Sequence, residues 1–231
     1  MAHTMTPKGG FQHNDTEYRA RRQQDEERTR IIEAFMDNVY ARNRYNIERV
    51  NDAELQKKGV DIIHTKNGAS RNVDEKYAIT YFNKDLRTFS FELYSRNNID
   101  CNGWFISDNV ITDDYAILWF KADDEFTTVT EYDLCIIPKQ SIMKLARKAG
   151  YYDGIVEDFL YYWENGQYLT PDTNYYELGE DKGYRRYLRL KFGCKLVQSA
   201  GLHEQPINIV IPKDELIKLA TYRFRGIPKK K

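Results

Sequence analysis

Three carboxylates and one ammonium group lie in a short stretch of the chain, on either side of an Asn-Gly pair. Asp61 precedes the pair, and Asp74, Glu75 and Lys76 follow it in "GVDIIHTKNGASRNVDEKYA", residues 59–78. Neighbouring carboxylates repel each other unless a cation lies between them, and hard oxygen ligands suit Mg²⁺ or Mn²⁺. Such a metal acidifies a bound water and neutralises charge on a phosphate, while a lysine orients either one. The set is typical of phosphodiester hydrolysis.

A β-hairpin is the element that would bring these groups together. "VDIIHT" and "RNVDEKYAITYF" are apolar enough for strands, and the Asn-Gly pair between them is a strong turn signal because both residues tolerate positive φ. Because side chains alternate along a strand, Asp74 and Lys76 share one face and Glu75 belongs to the other. The neighbouring strand then places Asp61 close to Asp74 and Lys76.

This pattern resembles the signature of the PD-(D/E)xK nuclease superfamily, which includes type II restriction enzymes, Holliday-junction resolvases and lambda-type exonucleases. The resemblance covers about residues 25–95, and the residues that match are Gly59-Val60-Asp61 and Asp74-Glu75-Lys76. Valine stands where the superfamily often has proline. The resemblance implies that Asp61, Asp74 and the backbone carbonyl of Glu75 bind Mg²⁺ or Mn²⁺, and that Lys76 is the catalytic lysine.

A helix before the hairpin offers the additional acid that the superfamily often uses. Apolar residues recur at i, i+3 and i+4 over residues 25–42, which predicts an amphipathic helix. Glu33 lies at the edge of its apolar face and is the predicted additional catalytic residue. Asp37, one turn later, is the first alternative, and Glu48 and Glu54 are further ones.

Two more residues are predicted to lie beside the site. Gln56 belongs to a short helical turn in "NDAELQKKG" and could face the site from there. Glu92 lies between apolar residues in "RTFSFELYS", a strand that could pair with the strand of Asp74. Glu92 would then bind the metal or support a residue that does. The alternative for both residues, as for Glu33, is an ordinary solvent-facing side chain.

The chain is predicted to fold as an α/β protein. Its 231 residues are 41% hydrophobic and 30% charged, as in folded domains. The order of helices and strands favours a mixed central sheet with helices on both faces, and the resemblance implies a three-layer restriction-endonuclease-like core. Residues 1–24 are predicted to be disordered and residues 25–231 to form one nuclease-like domain. A Tyr-rich acidic insertion is predicted at about residues 150–181.

Two segments of the chain share a pattern that predicts similar strand-to-helix units. "CIIPKQSIMKLARKAG" and "IVIPKDELIKLATYRF" each contain a short apolar strand, Ile-Pro-Lys and an amphipathic helix. Proline suits the beginning of a helix because the first N–H groups of a helix have no partner within it. Two diverged copies do not indicate a repeat architecture.

The charge is unevenly distributed, although the net charge is zero. Residues 97–181 contain 17 acidic and 5 basic residues, whereas residues 182–231 contain 3 acidic and 13 basic ones. Basic side chains interleaved with tyrosines can follow a phosphate backbone. Four of them are predicted to bind nucleic acid: Arg185, Arg186, Arg189 and Lys191. A solvated charged face is an equally good interpretation of the same pattern.

The sequence predicts a cytoplasmic nuclease. Its three cysteines form no Cys-x-x-Cys pair, which suggests a reducing compartment and no structural zinc. It has no apolar signal-peptide core and no membrane-spanning run. The predicted substrate is DNA, with RNA as the alternative, and a homodimer or an activating partner protein stays open. The alternative function is a non-catalytic component of the same fold that binds nucleic acid or protein.

Overall fold

Two β-sheets and five α-helices form the described part of the chain, which in this computed structural model comprises residues 15–95, 103–165, 178–181, 185–199 and 205–227. The helices are α1 (Asp15–Arg42), α2 (Ala53–Gln56), α3 (Lys139–Ala149), α4 (Ile155–Asn165) and α5 (Lys213–Leu219). The strands are β1 (Asn46–Arg49), β2 (Ile62–Lys66), β3 (Ala69–Tyr77), β4 (Thr88–Ser95), β5 (Asp114–Ala122), β6 (Val129–Pro138), β7 (Leu178–Asp181), β8 (Arg185–Arg189), β9 (Lys195–Ser199), β10 (Pro206–Pro212) and β11 (Tyr222–Gly226).

A mixed central sheet has the strand order β1-β2-β3-β5-β6-β11. β3 and β5 are parallel, and all other neighbours in this sheet are antiparallel. The segment "DYAILWF" of β5 is buried along its whole length, as expected for a strand that is covered on both faces. Ala116 and Leu118 contribute to one hydrophobic core, and Tyr115 and Ile117 contribute to the other.

Helix α1 covers one face of the central sheet. Its residues Ile32, Met36 and Tyr40 are fully buried, and their spacing of four places them on one side of the helix. They pack with residues of β2, β3, β5 and β6 in one hydrophobic core. The predicted amphipathic helix is therefore confirmed, but it begins at Asp15 and not near residue 25, so residues 15–24 are helical.

A second, antiparallel sheet covers the opposite face, together with α3, α4 and α5. Its strand order is β4-β10-β9-β8-β7, and it packs against β5 and β6 in the second hydrophobic core. The predicted mixed sheet with helices on both faces is confirmed in that coarser form, but the second sheet was not predicted. Part of the predicted insertion belongs to the core, because Ile155 and Phe159 of α4 are buried there. Residues 166–177 of that insertion lie outside the described part.

The two predicted strand-to-helix units are present, one in each sheet. β6 leads into α3 through Pro138, and β10 leads into α5 through Pro212. The N–H of Lys139 donates to the carbonyl of Asp113 (2.9 Å), and that of Lys213 donates to the carbonyl of Arg87 (2.8 Å). Each accepting carbonyl immediately precedes the strand that pairs with β6 or β10. The start of each helix is thus bound to the start of a neighbouring strand.

Among the residues that the structure describes, no helix combines the length and the hydrophobicity that a membrane span needs.

Candidate active site

The predicted hairpin is formed by β2 and β3. Ile62 lies opposite Val73 and Lys66 lies opposite Ala69, which leaves Asn67 and Gly68 as the two-residue turn. Both turn residues have positive φ, 54° and 80°. This is the backbone conformation that makes an Asn-Gly pair a reliable hairpin signal.

The two strands of the hairpin separate at Asp61. The N–H of Asp61 still donates to the carbonyl of Val73 (2.9 Å), but β3 continues to Tyr77 without β2 beside it. The carboxylate of Asp61 accepts a hydrogen bond from the N–H of Glu75 at 2.7 Å. A side-chain oxygen of Asp61 therefore takes the place of the backbone carbonyl that a longer β2 would have offered.

Asp74 and Lys76 lie together on the face that was predicted for them. The ammonium of Lys76 is 2.8 Å from Oδ1 of Asp74, whose side chain is buried. Burial raises the pKa of Asp74 to about 7; the ammonium of Lys76 opposes the shift, and the neighbouring Asp61 carboxylate adds to it. Asp74 is thus a carboxylate in a poorly hydrated position, with the ammonium of Lys76 as its ion-pair partner. A bound metal cation would stabilise its ionised form further.

Glu75 points to the opposite face of the sheet, as the alternation predicted. Its carboxylate accepts hydrogen bonds from the hydroxyl of Tyr40 (3.0 Å) and from Nη1 of Arg49 (2.9 Å). Burial raises the pKa of Glu75 to about 7, against the stabilising effect of Arg49 and Tyr40. In an extended strand the N–H and C=O of one residue point to the same side, so the carbonyl of Glu75 is directed toward Asp61, as its N–H is.

Glu33 is the acid of α1 that reaches the site. It lines the same cleft as Asp61 and Asp74, and its carboxylate is 3.9 Å from Nη1 of Arg49. Asp37 is held by Arg49 at 2.6 Å and does not line the cleft. Arg49 thus ties together one acid of β3 and two acids of α1.

The other two alternatives to Glu33 lie away from the cleft. Glu48 is exposed on β1, on the face opposite to that of its neighbour Arg49. Glu54 is exposed on α2, where its carboxylate is paired with Lys57 at 2.8 Å. Of the four acids predicted from the sequence, Glu33 is the one that lines the cleft.

Gln56 lies beside the site, whereas the prediction for the strand of Glu92 is wrong. Gln56 lines the cleft, and its side-chain amide donates to the carbonyl of Val50 at 2.8 Å. The strand of Glu92, β4, does not pair with β3; it pairs with β10 in the second sheet. Phe89 of β4 lines the cleft, but Glu92 lies on the other face of that strand and is not among the described residues that line it.

The site opens into a cleft of about 420 Å³. Asp61, Asp74 and Lys76 lie on one side of it, and Phe89 and Trp104 add an aromatic wall. Trp104 is 44% exposed, so part of its surface is accessible at this wall. The cleft therefore combines charged groups with an exposed aromatic surface.

Gly59 holds the chain close to the site. It follows α2 with φ of 74°, and its carbonyl accepts a hydrogen bond from the hydroxyl of Thr112 at 2.6 Å. A Cβ at this position would lie 2.6 Å from the same hydroxyl oxygen and 2.9 Å from a methyl carbon of Val110. Glycine is therefore required here both by the backbone angle and by the space.

Three groups that shape this site could hardly be predicted from the sequence. Arg49 and Tyr40 donate hydrogen bonds to Glu75. Lys139 lies near Asp74: burial lowers the pKa of Lys139, and the carboxylate of Asp74 opposes that shift. Arg49 lies in an apparently ordinary charged strand, and Lys139 begins a helix 63 residues after Lys76. Only a three-dimensional arrangement brings them to β3.

The residues present fit a hard divalent cation. Asp61 and Asp74 supply carboxylate oxygens, and the carbonyl of Glu75 is directed to the same place. Among the described residues, no group of three His, Cys, Asp or Glu side chains is arranged to hold a metal ion. A cation would therefore depend on two carboxylates, the main chain and water, a ligand set that Mg²⁺ tolerates because it keeps several waters.

The predicted nucleic-acid-binding residues lie far from the cleft. They belong to β8 and to the turn after it, and β8 is three strand positions away from β4, about 14 Å at the usual strand spacing. The guanidinium of Arg189 lies 5.7 Å from the ring centre of Tyr187. The side chain of Arg185 lies outside the described part. The structure therefore does not bring Arg186, Arg189 and Lys191 to the site.

Comparison with known proteins finds no relative for this chain. It matches no model of a protein family, no curated protein and no solved structure. Its function must therefore be inferred from the residues of the cleft.

Proposed function

We propose that this protein is a metal-dependent nuclease that hydrolyses phosphodiester bonds of DNA. The observation that carries the proposal is the convergence of Asp61, Asp74 and Lys76 on an open cleft where β2 and β3 separate. A buried carboxylate beside a second one is unfavourable unless a cation compensates their negative charge. A divalent cation bound at a phosphodiester would supply this compensation.

Each residue would have a distinct task. Asp61 and Asp74, with the carbonyl of Glu75, would hold Mg²⁺ or Mn²⁺, which when bound supplies an acidified water and neutralises charge on the phosphate. Lys76 would orient the attacking water or hold the phosphate, because its ammonium lies against Asp74 and its side chain is 35% exposed to the cleft. Glu33, on the other side of the cleft, would accept hydrogen bonds from water.

The aromatic wall supports a nucleic-acid substrate. Every base has a flat face that can stack on an aromatic side chain, and such stacking does not depend on sequence. Trp104 and Phe89 lie on the same cleft as Lys76 and would contact a base beside the scissile phosphate. A splayed or single-stranded segment of DNA would make these contacts more readily than a closed duplex, and RNA is the alternative polymer.

Incubation with nucleic acids tests the proposal directly. The substrates are supercoiled plasmid, linear duplex, single-stranded DNA and RNA, each with Mg²⁺, Mn²⁺ or EDTA. We expect cleavage that requires the metal, and a loss of at least a hundredfold in Asp74→Asn and Lys76→Ala. Lys121→Ala is the matched control, because Lys121 is exposed and paired with Glu131 on the surface at 2.7 Å.

The proposal is wrong if Asp74→Asn and Lys76→Ala, both folded by circular dichroism, cleave as fast as the wild type. Cleavage that persists in EDTA would also contradict it.

A second candidate function is binding without catalysis on the same fold. Two observations favour it: the described residues contain no third acid arranged for a metal, and Lys76 is already paired with Asp74. Calorimetric titration with Mn²⁺ distinguishes the two functions. A nuclease should bind Mn²⁺, and Asp61→Asn should weaken that binding. A protein that shifts DNA in a gel but binds no Mn²⁺ would have the second function.

A further inference from the structure

A second cavity lies at the other end of the central sheet, on the face covered by α1. Its volume is about 290 Å³, and Tyr45, His64, Lys66, Arg71 and Tyr222 are among the residues that line it. Arg71 precedes Asp74 by three residues on β3, about 10 Å along the strand, and the two side chains point to opposite faces of the sheet. The cavity is therefore separate from the proposed active site.

Two residues that line this cavity each carry a buried polar atom with no well-formed hydrogen bond among the described residues. Tyr45 and His64 are 5% and 4% exposed, and neither Oη of Tyr45 nor Nδ1 of His64 makes a hydrogen bond of good geometry in the described part of the chain. The hydroxyl of Tyr222 lies near that of Tyr45 and contributes to raising the pKa of Tyr45. The other ring nitrogen of His64 is 3.9 Å from Asp114, too far for a hydrogen bond. Unsatisfied buried polar groups are unfavourable. Because each atom exposes less than 1 Å² in this structure, a ligand would satisfy both atoms only after the side chains of Tyr45 and His64 turn toward the cavity.

The neutral ring of His64 can both donate and accept a hydrogen bond. Burial lowers the pKa of His64, so the ring is neutral near pH 7 and carries one donor and one acceptor nitrogen. A tyrosine hydroxyl likewise donates and accepts. Together these two groups match the edge of a heterocyclic base, which presents donors and acceptors side by side.

A positive charge stands at the mouth of the cavity. The ammonium of Lys66 lies 4.1 Å and 4.0 Å from the ring centres of Tyr45 and Tyr222, and no carboxylate of the described residues forms an ion pair with it. Arg71 is also at the mouth and is paired with Asp114 through two nitrogens. The carboxylate of Asp113 also lies near Arg71 and accepts a hydrogen bond from the N–H of Asn72 at 2.9 Å. Two acids therefore face the two cations of the entrance, and Lys66 is the cation that forms no ion pair among the described residues.

We propose that this cavity binds a nucleoside monophosphate, with the base inside against Tyr45 and His64 and the phosphate at the mouth beside Lys66 and Arg71. The cavity has about the volume of small-molecule sites at the lower end of the usual range. Its inner part is aromatic and holds the unsatisfied neutral groups, which suit a base. At its entrance the ammonium of Lys66 forms no ion pair among the described residues, which suits the phosphate. Tyr222, 38% exposed at the mouth, adds a ring on which the ribose or the base packs.

Calorimetric titration of the full chain in EDTA tests this site without activating any cleavage. The probes are AMP, GMP, CMP and UMP, with adenosine, ribose 5-phosphate and inorganic phosphate for comparison. We expect at least one monophosphate to bind at least tenfold more tightly than its nucleoside and than inorganic phosphate. Lys66→Gln should weaken it at least tenfold, and His64→Leu should weaken it as well.

Further variants distinguish nucleotide binding in this cavity from binding in the proposed active site and from a loss of folding. Asp74→Asn should leave nucleotide binding unchanged, because Asp74 lies on the other face of the sheet. Tyr222→Ala replaces Lys66→Gln if that variant does not fold. The imidazole signals of His64 should shift in NMR spectra when the nucleotide binds.

Three results would overturn the proposal. One is the absence of binding by every monophosphate at millimolar concentration. Another is inorganic phosphate binding as tightly as the nucleotides. The third is binding that Asp74→Asn abolishes and Lys66→Gln leaves intact, which would assign the nucleotide to the cleft.

Discussion

At the scale of single residues, the proposed site depends on the buried carboxylates of β3. Asp74 and Glu75 both have a pKa of about 7, and in both cases burial is the main cause. A carboxylate that is ionised in this environment lacks most of the water that stabilises it in the unfolded chain. The folded protein therefore bears an electrostatic cost above neutral pH, which it would recover when a cation binds.

Asp74→Asn should stabilise the metal-free protein at alkaline pH. The pKa of Asp74 rises from 3.8 to about 7 on folding, so its contribution to stability is complete below pH 4 and is lost as pH rises through 7. Removing the charge should raise the free energy of unfolding at pH 8 in EDTA by about 3 kcal/mol. The dependence of stability on pH between 5 and 8 should also become weaker.

Urea unfolding at several pH values measures this effect. The matched control is Asp85→Asn, because Asp85 is 83% exposed. An Asp74→Asn variant that is less stable than the wild type at pH 8 would contradict the assignment of a destabilising charge.

Much of the local arrangement of this site could be predicted from the sequence. Asp74 and Lys76 are two positions apart, which places them on the same face of any strand, and the Asn-Gly turn determines the partner strand. The partners of Glu75 could not be predicted, because Arg49 and Tyr40 reach it from 26 and 35 residues away. Their contact depends on how α1 crosses the sheet, which no local pattern determines.

Among the helices and strands, the joint between α2 and β2 sets the position of Asp61. Gly59 turns the chain out of α2 and brings it between Thr112 and Val110 before Asp61 begins its contacts with β3. A second glycine, Gly68, has a similar φ of 80° but no atom within 4 Å of the place where a Cβ would lie. The two positions therefore differ in space and not in backbone angle.

Gly59→Ala should destabilise the protein more than Gly68→Ala does. Gly68→Ala introduces only the strain of a left-handed alanine, about 1 kcal/mol. Gly59→Ala adds a collision with Thr112 and Val110, which brings the expected loss to about 3 kcal/mol. It should also weaken Mn²⁺ binding, because relief of the collision displaces the chain that carries Asp61.

Chemical denaturation and calorimetry measure the two losses side by side. Equal destabilisation by the two substitutions would mean that the space around Gly59 opens without cost. The close packing of this joint would then not be what positions Asp61.

Strand pairing was predicted where it is local and missed where it is not. β2 and β3 are joined by a two-residue turn, so their pairing follows from that turn. β4 was expected beside β3, but its partner β10 begins 111 residues after the end of β4, at Pro206. Alternation in "RTFSFELYS" correctly indicates a half-buried strand, but it contains no information about which sheet the strand joins.

For the molecule overall, β5 is the element shared by the two hydrophobic cores. Ile117 and Leu118 are 0% and 1% exposed, and they are adjacent in the chain but belong to opposite faces of the central sheet. The α/β class and the mixed sheet were predictable from the order of helical and extended patterns. The second sheet was not, because β4 joins it across 111 residues, although β7, β8, β9 and β10 follow one another in the chain.

Ile117→Ala and Leu118→Ala should each destabilise both cores together. Each substitution removes buried methyl groups from a strand that is covered on both faces, with an expected loss of about 2–5 kcal/mol. Because β5 links the cores, the transitions followed by tryptophan fluorescence and by far-UV circular dichroism should shift together. Ile227→Ala is the control, since Ile227 is 79% exposed and should change stability by less than about 0.5 kcal/mol.

Transitions that separate in either variant would show that the two faces unfold independently. The central sheet would then not couple the cleft to the cavity on its other side.

The early end of β2 has a consequence for how function is encoded in this chain. Asp61 can bind the N–H of Glu75 only because β2 does not extend beside it. If β2 were longer, a main-chain carbonyl would take that N–H, and Asp61 would lose this contact with β3, whereas Asp74 and Lys76 would still share one face. The difference in length between β2 and β3 therefore decides whether Asp61 contacts β3. The identities of the site residues alone do not contain this information.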